Sequence, residues 1–159
     1  MEKKNGPVRA LQIVYLALLT GQLLFAVIAF VLVKSGFFGG TIASAVEKIL
    51  QTIYVIATIA AIWIAFYLFK KKLEQAEHLL TLKEKFNVYR SACITKYALL
   101  EGANLLSVVF FLITANSIFL IFAVVLMFVF MTLNPIRQRI KFDLQLEDAD
   151  IDKLNDLQG

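Results

Sequence analysis

Cysteine, proline and glycine are scarce, since 159 residues include one cysteine, two prolines and seven glycines. Collagen-like and low-complexity chains need far more glycine and proline, so both classes are excluded. The single thiol, Cys93, excludes an internal disulfide and a metal cluster built from several cysteines. Only 18% of the residues are charged, whereas 60% are apolar. This balance lies outside the range of soluble domains and indicates a membrane protein.

The apolar residues are concentrated in four blocks, at 10–33, 49–69, 97–114 and 118–133. A helix of about 20 apolar residues crosses the hydrocarbon core of a bilayer. We therefore expect an all-α integral membrane protein whose residues 1–135 form four transmembrane helices. A signal peptide is the competing interpretation of the first block. That block is much longer than the 7–15 apolar residues typical of a signal sequence, so we expect it to remain as a span.

The basic residues predict the orientation of the spans. All but two of the 16 lie in the N-terminal segment, in the connector at 70–96, or in the tail at 136–159. Lys and Arg are enriched in cytoplasmic segments, so we expect both termini and the connector in the cytoplasm and the protein in the cell inner membrane. The net charge of +4 follows from this topology and indicates no nucleic-acid partner. The connector lacks proline and glycine, which predicts a helical cytoplasmic extension.

An internal repeat relates the first span to the third. A shift of 81 residues aligns nine identical residues in 22 positions, with the pattern Ala-Leu-Leu-x-Gly at 17–21 and at 98–102. Spans two and four match more weakly, at a level that chance explains. The pattern predicts two hairpins with the same orientation, a parallel repeat. Gly21 and Gly102 are expected to let helices approach each other closely.

Glu101 is the only charged residue inside a predicted span. An intramembrane carboxylate is a candidate functional group, here for coupling to a proton or a cation. Glu101 follows the basic connector by about one helical turn, so its carboxylate is expected near the cytoplasmic interface. We therefore favour an ion pair that fixes helix packing. The candidate partners are Arg9, Arg137 and Arg139.

The other polar candidates within the spans are five uncharged side chains: Gln12, Thr20 and Gln22 on the first span, and Asn104 and Ser107 on the third. Asn104 and Ser107 follow Glu101 at one-turn spacing, and Thr20 is its partner in the repeat. Such residues either line a small hydrated cavity or form hydrogen bonds between helices. Spans two and four contain few polar residues, so we expect no continuous polar path across the membrane.

Catalytic and metal-binding patterns are missing from the sequence. His78 is the only histidine, and with Glu74 four residues before it we interpret it as part of a helical surface pair. No phosphate-binding loop, HExxH pattern or dinucleotide fingerprint is found. We therefore expect no catalytic residue, no metal and no cofactor.

The tail changes character after Pro135. Apolar and polar residues alternate there, which predicts a strand or an extended segment. The apolar members are Ile140, Phe142, Leu144 and Leu146. The last residues are acidic, and we interpret them either as an amphipathic segment that packs on the connector or as a disordered end.

The run from Lys96 to Gly102, Asn134-Pro135 and the acidic tail resemble small four-span inner-membrane proteins of Bacteroidota. The resemblance implies the four-span fold and carries no activity with it. The duplicated proteolipid subunit of rotary ATPases fits poorly because the spans here contain few glycines.

We expect a non-enzymatic structural or accessory subunit of a homo-oligomer or larger membrane complex. Its expected partners are membrane lipid and other copies or subunits. The alternative is a small-solute or ion transporter that uses Glu101 and Asn104. A membrane enzyme ranks last because the sequence offers no nucleophile or acid–base pair.

Overall fold

The computed structural model describes residues 6–39, 43–147 and Asp150. This part of the chain is helical and contains no strand. The all-α expectation is therefore confirmed. The helices are α1 (Pro7–Lys34), α2 (Ser44–Glu77), α3 (Leu82–Thr114), α4 (Ser117–Met131) and α5 (Arg137–Leu144).

Three helices, α1 to α3, are long and apolar enough to cross a membrane. Helix α4 is also apolar but has only 15 residues, which extend about 22 Å at a rise of 1.5 Å each. The hydrocarbon core of a bilayer is about 30 Å thick. The structure thus supports three candidate spans and adds a shorter apolar helix.

Helix α3 lies at the centre of the structure and packs against each of the other four helices. The side chains of Gln22 and Asn104 meet between α1 and α3, and so do the rings of Tyr15 and Tyr97, with centroids 5.7 Å apart. Both pairs are separated by the same number of residues, so α1 and α3 run in the same direction.

A short turn reverses the chain between α3 and α4. Ala115 adopts a left-handed conformation with φ of 53°, which ends α3. The Asn116 side chain then accepts a hydrogen bond from the backbone N–H of Ile118 at 2.8 Å and caps α4. The same side chain donates to Glu47 in the first turn of α2. The hairpin is therefore fastened to α2 at this end of the bundle.

The interior is filled largely by aromatic rings. Tyr54 of α2 lies among Phe110, Phe119 and Phe122, with ring centroids 5.5–5.9 Å away. Helices α1 and α2 leave many large apolar side chains exposed, and only 11% of the most apolar 18-residue window of each is buried within the chain. For α3 the buried share is 39%. Such outward apolar surface suits a protein surrounded by lipid.

Helices α2 and α3 both continue into the connector. We call their parts within residues 70–96 the stalk. Helix α3 begins with a capping interaction, because the Thr81 hydroxyl accepts a hydrogen bond from the Glu84 backbone N–H at 3.3 Å. Helix α5 packs against α2 and α3.

The extended segment predicted for the tail is wrong, since residues 137–144 form α5. The apolar positions that decide the fold are Ile140 and Leu144, which are four residues apart and both buried. Phe142, which completed the alternating pattern, is 83% exposed. Burial of one helical face therefore decided the structure of this segment, and the alternation of apolar and polar residues did not. The predicted acidic end, apart from Asp150, lies outside the described residues.

Candidate functional site

The carboxyl end of α4 is surrounded by hydrogen-bond donors from α1 and α3. The last carbonyl groups of a helix have no partner within it and need donors from elsewhere. The Tyr15 hydroxyl donates to the carbonyls of Phe130 and Met131 at 3.3 and 3.1 Å. The Tyr97 hydroxyl donates to the carbonyl of Leu133 at 3.0 Å. We call this arrangement the α4 clasp.

Two further side chains extend the α4 clasp. Gln12 donates from Nε2 to the carbonyl of Pro135 at 3.2 Å, and the Arg139 guanidinium donates to the carbonyl of Thr132. The Tyr15 ring also stacks on Phe130, with centroids 5.2 Å apart and planes 5° apart. The carbonyl groups at the carboxyl end of this short helix are thus hydrogen-bonded within the protein.

Gln22 and Asn104, two of the predicted polar candidates, meet in the interior. Each is only 1% exposed, and Asn104 Nδ2 donates to Gln22 Oε1 at 2.8 Å. Two atoms of this amide pair, Gln22 Nε2 and Asn104 Oδ1, have no hydrogen-bond partner in the part of the chain that is described. Asn104 lies about 15 Å along α3 from Thr114, so the amide pair lies well inside the helical bundle.

Ser107, the next predicted candidate, joins α3 to α4. It is fully buried, and its hydroxyl donates to the carbonyl of Phe119 at 2.5 Å. Asn104 and Ser107 therefore both face the interior. Glu101, which the sequence placed on the same face, is only half-buried.

The ion pair between Glu101 and one of three arginines stays a prediction. Arg9 is exposed, and Arg139 donates to the α4 carboxyl end. Arg137 is exposed on α5. Thr20, the repeat partner of Glu101, is exposed on the outer face of α1. The charged and uncharged candidates therefore do not form one common site.

Gly21 and Gly102 lie on outward faces of α1 and α3. A Cβ atom built at either position would meet nothing within 4 Å. Neither glycine is therefore needed for a close helix contact inside this chain. A role in packing against another chain stays a prediction.

A buried cluster in the stalk was missed by the sequence analysis. Lys96 is only 3% exposed, and its Nζ lies 3.5 Å from the centre of the Phe69 ring, a cation–π contact. Nearby, the Tyr89 hydroxyl donates to Asp143 Oδ2 of α5 at 3.1 Å. Burial raises the pKa of the Cys93 thiol and that of the Tyr89 hydroxyl. The helical spacing of positions 89, 93 and 96 was the available signal. The sequence did not predict α5, whose Asp143 accepts the bond from Tyr89, because residues 137–144 were expected to form an extended segment.

Buried polar side chains of the described residues form hydrogen bonds between helices. No group of three or more His, Cys, Asp or Glu side chains comes together there in a way that could hold a metal ion. The Asn104 amide donates to the Gln22 side chain of α1, and the Ser107 hydroxyl donates to a backbone carbonyl of α4. No protein-family model matches the chain, and comparisons with curated proteins and with solved structures find no match.

Proposed function

We propose that the chain is a four-span structural or accessory subunit of the inner membrane, without enzymatic activity. It associates with further copies of itself or with a larger membrane complex. The observation that carries the proposal is the outward apolar surface of α1 and α2, since only 11% of the most apolar 18-residue window of each helix is buried. The interior polar groups join the helices to one another, which suits a rigid module for packing.

The fourth span in this proposal is α4. Its 15 residues are short, but the α4 clasp supplies donors for the carbonyls that would otherwise face hydrocarbon. The residues after α4 then lead to α5 beside the stalk. An aromatic pair supports the position of the interface at that end, because Trp63 and Tyr67 are exposed and stacked with centroids 5.4 Å apart. The basic run at 70–72 follows directly.

Self-association is supported by the two outward glycines. Interfaces between membrane helices are enriched in small residues because they let backbones approach closely. Gly21 and Gly102 occupy equivalent positions of the proposed parallel repeat and have open space beside them. A second copy, or another subunit, can therefore approach α1 and α3 at the same depth.

Cross-linking through a single cysteine tests this proposal. In a Cys93→Ala background, Gly21→Cys is expected to form disulfide-linked dimers in native membranes, or adducts with a second protein. The matched control is Ala60→Cys, which is exposed on α2 and outside the proposed interface. Equal cross-linking at both positions would indicate random collision. No adduct at Gly21, with a monomer on purification in mild detergent, would contradict the subunit proposal.

A transporter is the second candidate, and the amide pair is the observation that favours it. Gln22 Nε2 and Asn104 Oδ1 are buried without partners among the described residues and could bind a polar solute. Purified protein in liposomes should then show a flux that Asn104→Ala or Glu101→Gln abolishes while the thermal stability stays near that of the unmodified protein. A destabilised variant with unchanged flux would leave only the packing role for these side chains.

A further inference from the structure

Lys72 is held in place by two hydroxyl groups on the neighbouring helix. Its Nζ lies 2.9 Å from Ser91 Oγ and 3.1 Å from Thr95 Oγ1. Ser91 and Thr95 are one turn apart on α3, and the Thr95 hydroxyl donates to the Ser91 carbonyl at 2.9 Å. An ammonium group has three N–H donors, and these contacts use two of them. The third N–H and the Ser91 hydroxyl proton remain for a ligand.

This cluster lies at the boundary between the apolar and the basic parts of the helices. Lys72 comes three residues after Phe69, the last residue of the second apolar block, and Thr95 comes two residues before the third block. Tyr67 and Trp63 lie about one and a half and two and a half turns deeper on α2, where aromatic residues mark the membrane interface. Lys72 is therefore at the depth of lipid headgroups.

Two exposed apolar residues of α3 continue from the cluster along the helix into the third apolar block. Ile94 and Ala98 follow Ser91 on the exposed side of α3, and Ile94 is 39% exposed. A ligand that binds at Lys72 and also has acyl chains would lay those chains on these two residues. A free phosphate ion would gain nothing from them.

We propose that Lys72, Ser91 and Thr95 bind the phosphate of an anionic phospholipid headgroup. Lys72 donates its third N–H to one phosphate oxygen, and Ser91 donates its hydroxyl to the same or a second oxygen. Thr95 keeps the ammonium in position and is a positioning residue. The proposal requires α2 and α3 to cross the bilayer and does not depend on the subunit function.

The basic run contains its own matched control. Lys71 is exposed, one residue from Lys72, and has the same charge, so Lys71→Gln and Lys72→Gln change the net charge equally. Binding of phosphatidylglycerol to the full chain in detergent would be measured by native mass spectrometry. We expect Lys72→Gln to weaken it about five- to tenfold, and Lys71→Gln less than twofold.

Four comparisons complete the test. The Ser91→Ala variant and the Thr95→Val variant keep the lysine and are each expected to weaken binding about threefold. These two variants also carry the test if Lys72→Gln does not fold. Phosphatidylcholine is expected to bind more weakly than phosphatidylglycerol, and millimolar inorganic phosphate is expected not to compete.

Two results would overturn the proposal. If Lys71→Gln and Lys72→Gln weaken phosphatidylglycerol binding equally, general attraction by the basic run explains the binding without a built site. If inorganic phosphate displaces the lipid at equal concentration, the cluster is a site for the free anion.

Discussion

Tyr97→Phe is the sharpest test of the α4 clasp because it removes one hydroxyl and keeps the ring. The Tyr97 ring centroid lies 5.4 Å from that of Phe130 and 5.7 Å from that of Tyr15, and a phenylalanine preserves both contacts. The hydroxyl donates to the carbonyl of Leu133, a residue that is 3% exposed. The substitution therefore leaves a buried acceptor without its donor.

The expected cost follows from the loss of that donor. An unsatisfied buried acceptor costs about 1–3 kcal/mol, while hydrogen bonds between membrane helices contribute about 0.6–1.7 kcal/mol. We expect Tyr97→Phe to lower the free energy of unfolding by about 1–2 kcal/mol. For a chain of this length, that corresponds to a fall in Tm of about 2–8 °C.

Thermal unfolding in mild detergent, followed by circular dichroism, measures this effect. Tyr67→Phe is the control, since Tyr67 is 52% exposed on the outer face of α2 and its hydroxyl lies outside the clasp. Its Tm is expected to stay within about 1 °C of the unmodified protein. If Tyr97→Phe is as mild as Tyr67→Phe, the carboxyl end of α4 does not depend on donors from α3, and the reasoning fails.

Three further predictions follow from other contacts. Gly39→Ala should destabilise the protein by about 1–3 kcal/mol in thermal unfolding. The φ angle of Gly39 is +108°, and the new Cβ would lie 2.8 Å from the Cβ of Ala115, which follows α3. Asn104→Leu alone should lower the free energy of unfolding. Adding Gln22→Leu should restore much of that loss, since replacing both partners leaves no unpaired amide. A double variant that is less stable than the single one would refute this. Native Cys93 should react slowly with maleimide because the thiol is buried and its pKa is raised, and Asp143→Ala should speed the reaction because it removes the acceptor that joins α5 to the Tyr89 hydroxyl; unchanged labelling would show that this contact of α5 does not protect the thiol.

The sequence predicted the apolar helices and the residues that meet inside them. Gln22, Asn104 and Ser107 stood out because a polar side chain is costly in hydrocarbon, and the structure places all three in the interior. Their partners could not be predicted, since spacing along one helix does not give its rotation against another. Ser107 bonds to a backbone carbonyl, for which no residue type gives a signal.

Predictions from the local sequence pattern were wrong or incomplete where contacts between helices decided the structure. The tail alternates like a strand, but burial of Ile140 and Leu144 against α2 and α3 made α5 a helix. The stalk cluster around Lys96 was missed because spacing along α3 does not show that Lys96 packs against Phe69 of α2. Glu101, the most conspicuous polar residue of the spans, is half-buried, and the ion pair expected for it stays a prediction.

If α4 crosses the membrane, its two ends lie on opposite sides. In a Cys93→Ala background, Ser117→Cys reports the start of α4 and Gln138→Cys reports α5, and both positions are exposed. The measurement is labelling by a membrane-impermeant maleimide in intact cells. Four spans predict that Ser117→Cys is labelled and that Gln138→Cys is protected until the membrane is permeabilised. Labelling of both cysteines in intact cells would mean that α4 does not cross, and the four-span account would be contradicted.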